Sequence, residues 1–60
     1  MPTRYQVSRE DHSDPSGWVP VGKFGSLHKA EADARMRERM NPWLYSNNNP
    51  DRMYFLIEAI

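Results

Sequence analysis

The sequence has no cysteine. That absence removes disulfide cross-links, thiolate nucleophiles and cysteine-ligated zinc or iron–sulfur sites. Net charge is missing too: eight Lys and Arg balance eight Asp and Glu. No overall field therefore draws the chain to nucleic acid or to an acidic membrane surface. The longest apolar run, Met53 to Ile57, is five residues, against the roughly 20 needed to cross a bilayer. The opening Met1-Pro2-Thr3-Arg4 carries no apolar signal core, so the expected location is cytoplasmic. Sixty residues leave room for one domain, 1–60, and none for a second.

What is present argues for a folded chain. Aromatic residues make up 12% of it, more than a disordered tail carries. Ordering the whole chain costs about 90 kcal/mol. Burying every one of its apolar side chains (38% of residues) offsets about 86 kcal/mol at ~25 cal/mol per Å². The two nearly cancel. A chain so close to balance, with no disulfide or metal to help, gains from association, and a homodimer or another protein partner is expected.

The pattern predicts β-β-α-β. Residues 3–9 alternate, with Thr3, Tyr5 and Val7 on one side and Arg4, Gln6 and Ser8 on the other, the period of a half-buried strand. Residues 10–17 form a polar loop bent by Pro15 and Gly17. A second strand, 18–24, alternates Trp18, Pro20, Gly22 and Phe24 against Val19, Val21 and Lys23. Pro20 cannot donate to a ladder and so places this strand at an edge. Ser26 is a natural N-cap for a helix over 27–40. Asn41-Pro42 stops that helix, because the residue before proline avoids helical angles. Lys29–Asp33, Glu31–Arg35 and Asp33–Arg37 are spaced for i,i+4 pairing along it. A loop over 41–51 precedes a third strand, 52–60. A right-handed crossover makes strands two and three parallel, and strand one fits between them, antiparallel to both. The expected fold is a single α+β domain: a three-stranded antiparallel sheet in order 2-1-3, with one helix on one face.

The stretch Trp18-Val19-Pro20-Val21-Gly22-Lys23-Phe24-Gly25-Ser26, followed by an Ala-rich charged helix, resembles the strand-to-helix half of peptidoglycan-binding SPOR domains. The resemblance covers under half the chain. The second βα unit of that family's fold has no counterpart in this sequence, so nothing of its function is carried over.

Two features point to a partner. The third strand is apolar on both faces, with Met53, Phe55 and Ile57 on one and Tyr54, Leu56 and Ile60 on the other. One helix covers only one of them, unless Trp43 to Tyr45 folds back over the second. The helix has two stripes: Leu27, Ala30 and Ala34, and roughly opposite them Ala32, Met36 and Met40, continued by Trp43. Either stripe can face the sheet. Small alanines suit close approach and would leave the methionines to a partner; an oblique packing would put the methionines in the core. The expected partner-binding residues are Met36, Met40, Trp43, Tyr54, Leu56 and Ile60.

Chemistry finds little support. Asp11, His12 and Asp14 are metal-ligand types, but neighbours in a flexible loop rarely converge on an ion, and no metal or cofactor is expected. Ser26-Leu27-His28-Lys29 matches S-x-x-K without the companion elements that make it a nucleophile motif, and capping explains Ser26. Ser13, His12 and Asp14 cannot adopt triad geometry as sequence neighbours. Gly17, Gly22 and Gly25 match no phosphate-binding spacing. No catalytic set is present, and the expected function is a small non-enzymatic protein-binding module, an adaptor or inhibitor that self-associates. Small size is what it shares with phage and mobile-element proteins that block host machinery, an origin expected on size alone. The alternative is a nucleic-acid binder using Arg35, Arg37 and Arg39 with sheet-face aromatics such as Tyr5 or Tyr54. Glu31, Glu38 and Asp33 lie close enough to pair with those arginines.

Overall fold

The computed structural model describes residues 3–60; the first two residues of the expected 1–60 domain lie outside them. Strands β1 (Tyr5–Glu10), β2 (Trp18–Phe24) and β3 (Phe55–Ala59) form one antiparallel sheet in the order β2-β1-β3, with helix α1 (Leu27–Met40) between β2 and β3 in sequence. Pro20 thus lies on an edge strand, where its missing N–H costs no ladder bond. The third strand is the other edge, as the expected order 2-1-3 has it.

Four strand boundaries differ from the sequence reading, since β1 is Tyr5–Glu10 and not 3–9, and β3 is Phe55–Ala59 and not 52–60. The end of β1 and the start of β3 each have a hydrogen-bonding reason. β1 runs on to Glu10, whose N–H donates to Tyr54 O at 3.0 Å, before Asp11 N–H turns to Gly17 O. β3 starts at Phe55 and not at Arg52. Arg52 N–H is taken by Asn49 O and Met53 N–H by Leu44 O, so both belong to the loop's bonding pattern. That loop is ordered by three successive turns, in which Ser46, Asn49 and Arg52 N–H donate to the carbonyls three residues earlier. Asn49 Nδ2 braces it by donating to Trp43 O at 3.0 Å, as Asn and Ser side chains do in turns.

The β1–β2 register slips between Val7 and Ser8, which face Gly22 and Pro20 and leave Val21 as an extra residue. This β-bulge corrects the simple alternation read for the second strand. Gly22 and Phe24 change sides and join Val19 on the face of Val7, while Trp18, Pro20 and Lys23 share the opposite face. A Cβ on Gly22 would lie 3.0 Å from Phe24 Cε2, so the small residue lets that ring fold back over the strand.

Helix α1 covers the Val7 face. Ser26 caps it, its Oγ accepting from Lys29 N–H at 3.2 Å, and Asn41 ends it, its N–H donating three residues back to Glu38 O at 3.3 Å. The alanine stripe packs inward. Ala30 is fully buried and Ala34 nearly so against Val7, with Tyr5, Val21, Phe24, Phe55 and Ile57 around them. Alanine wins over methionine because a helix can approach a sheet most closely through side chains of one carbon. The resulting core is small. The Cα radius of gyration is 12.1 Å, against about 10.4 Å for a compact chain of this length.

Candidate functional interface

The helix leaves its outer side and the second sheet face uncovered. The expected partner-binding residues divide between these two surfaces. Met36 lies on the helix side turned away from Ala30 and Ala34, and is 55% exposed. Met40 (79%) and Trp43 (62%) follow at and beyond the helix end. Met40 borders a shallow hollow of about 180 Å³ shared with Arg9, Arg37 and Tyr45. Tyr54, Leu56 and Ile60 belong to the other surface, with Glu58, on the sheet face away from the helix. Tyr54 and Ile60 are exposed, whereas Leu56 is only half-buried beside Ser8. Met36 on the outer helix side and Tyr54, Leu56 and Ile60 on the far sheet face therefore do not form one continuous surface. Leu27 was missed. It continues the alanine stripe, which suggested burial, but it stands in the first helical turn and remains exposed.

The two sheet edges are built differently. In the β1–β3 ladder, Glu10 N–H bonds to Tyr54 O and Ile60 N–H to Arg4 O. The even-numbered residues of β3 therefore point their backbone groups at β1, and those of Phe55, Ile57 and Ala59 point outward. None of the three has a hydrogen-bond partner among the described residues. The β2 edge is blunted: Pro20 has no N–H to offer, Val21 makes a bulge, Lys23 adds charge, and Arg37 Nη2 donates to Val21 O at 3.3 Å. The β3 edge has no proline and no bulge.

The arginines of the nucleic-acid alternative are not equally free. Arg37 is committed, its Nε donating to Asp33 Oδ2 at 2.7 Å. This also corrects one expected pair, since Asp33 is taken by Arg37 and not by Lys29. Arg35 pairs loosely with Glu31 at 3.7 Å. Arg39 has no ion pair among the described residues. Arg35 and Arg39 line an open depression of about 450 Å³ with Pro42 and Tyr45, and Glu38 places an acid between them. Of the sheet-face aromatics, Tyr5 packs on the core beneath the helix. Tyr54 is exposed, with the Arg52 guanidinium 4.7 Å from its ring centre.

The loop carboxylates serve the backbone. Asp11 Oδ1 accepts from both the amide and the hydroxyl of Ser13, at 2.9 and 2.6 Å. Asp14 Oδ1 does the same with Ser16 at the same distances. In each case the serine hydroxyl, then the amide, holds the carboxyl below its ordinary pKa. His12 Nε2 faces Glu10 Oε1 at 3.6 Å and is well exposed. Among the described residues no three His, Asp or Glu side chains are grouped to hold a metal ion. None of the described helices is long and apolar enough to cross a membrane. No family model matches the chain, and neither a curated protein nor a solved structure is significantly similar to it.

Proposed function

We propose that this chain is a small non-enzymatic protein-binding module, an adaptor or inhibitor, that self-associates. One observation carries the reading. Among the described residues, only Val7, Ala30 and Ala34 of the apolar side chains are fully or nearly buried, while Met36, Met40, Trp43, Tyr54 and Ile60 all remain more than half exposed. Large side chains left outside so small a core are surface to be covered. Methionine and the aromatics suit adaptable contact with another protein. The arginines support nucleic-acid binding less well, because Arg37 is occupied and acids stand among the others.

Capture from lysate of the producing cell tests the reading. A protein retained by the unaltered chain should be lost with Leu56→Asp or Met36→Asp, with the helical circular dichroism unchanged. Retention of nucleic acid, falling steeply with salt and abolished by Arg35→Glu with Arg39→Glu, would establish the alternative instead.

A further inference from the structure

We infer that the free edge of β3 pairs with β3 of a second copy, antiparallel, about a two-fold axis through Ile57. The inference rests on the self-association just proposed and specifies its surface and register.

Backbone parity limits the possibilities. Only Phe55, Ile57 and Ala59 direct free N–H and C=O groups outward. A symmetric antiparallel pair must therefore set odd residues against odd, which puts the axis on a residue and not between two. Centred on Ile57, Phe55 meets Ala59 of the second copy, Ile57 meets Ile57, and Ala59 meets Phe55, each pair exchanging both bonds. Every outward group of the strand is satisfied. Centred on Glu58, the Phe55–Ala59 pairs are lost and two carboxylates stand directly opposite, which is repulsive. Centred on Leu56, the ladder needs Met53, whose N–H is already held by Leu44 O at 3.0 Å.

The side chains favour the same register. On the open sheet face it sets Tyr54 opposite Ile60 and Leu56 opposite Glu58 of the second copy, as close non-hydrogen-bonded pairs. Tyr54 and Ile60, 51% and 56% exposed, thus cover each other at both ends of the contact. On the other face the two helices clear one another. They pack mainly over β1 and β2, and the two β1 strands stand three strand spacings apart, roughly 14 Å, against the 8–10 Å of packed helices. The joined sheet would end on both sides at a β2 edge closed by Pro20 and Lys23. Pairing therefore stops at a dimer and does not run on as a fibre.

The test combines mass with amide exchange on the unaltered chain. On concentration the mass should rise from 7.1 kDa to twice that. The amides of Phe55, Ile57 and Ala59 should then exchange about tenfold or more slowly than in dilute solution. Lys23, outward on the other edge, should not change. Ala59→Pro should restore the monomer with its circular dichroism intact, because the Ala59 N–H serves no bond to β1. A chain that stays at 7.1 kDa when concentrated, or a dimer in which those three amides exchange as in dilute solution, overturns the inference. If Ala59→Pro fails to fold, exchange on the unaltered chain decides. A monomeric chain that still loses a captured protein on Leu56→Asp overturns this pairing and leaves the protein-binding reading standing.

Discussion

The ring of Tyr45 stacks on that of Phe55, their centres 4.6 Å apart and their planes at 26°. Tyr45 belongs to the turn-rich loop after the helix and Phe55 begins the edge strand, so the stack ties the loop to the sheet. Met53 N–H to Leu44 O adds a backbone bond beside it. Tyr45→Ala should cost about 1–3 kcal/mol, from a half-buried ring and its stacking geometry. Urea unfolding measures this, and Tyr45→Phe should recover most of the loss.

Helix packing makes a sharper prediction. Ala34→Leu forces added methyl groups between α1 and Val7 and should destabilise by about 1–3 kcal/mol. Ala32→Leu, on the exposed side of the same helix, should stay within about 0.5 kcal/mol of the parent. Equal effects of the two substitutions in thermal unfolding would mean that the helix face has been misplaced.

The two i,i+4 ion pairs should differ. Arg37 is bonded to Asp33 at 2.7 Å and also reaches Val21 O at the bulge. Arg37→Met should cost about 1 kcal/mol, felt in the exchange of β2 amides as well as in the helix. Arg35→Met breaks only an exposed 3.7 Å contact and should change stability by less than about 0.5 kcal/mol.

Acid should loosen the loop between β1 and β2. Asp11 and Asp14 are held below their ordinary pKa by Ser13 and Ser16. Their contribution is therefore complete above the unfolded carboxylate value, near 3.9. It disappears as pH falls through the lower folded values. Asp11→Asn with Asp14→Asn should lower the melting temperature at neutral pH. The gap to the parent should close in strong acid. Carbon-detected titration of both carboxyls gives the folded values directly.

The helix was the most legible element, because its start and stop are local. Ser26 supplies a capping oxygen, Asn41-Pro42 cannot continue the turn, and both act within a few residues. The second strand shows the opposite case. Its span can be read from Trp18 to Phe24, but the slip at Val21 is a matter of how β2 meets β1, and alternation within one strand cannot reveal it. The candidate surface was legible as a list and not as a place. Met36 and Leu56 both declare themselves apolar, and nothing local says that a helix will stand between them.

Composition and local pattern by themselves determined four elements, the edge position of Pro20 and a stability close to balance for a lone chain. These follow from short-range stereochemistry and from the ratio of surface to volume in a 60-residue chain. Tertiary structure decided which helix stripe faces inward, which backbone groups of β3 stay free, and that only one of the two sheet edges is guarded. Each of these depends on register between strands distant in sequence, where a shift of one residue reverses every side chain and every N–H.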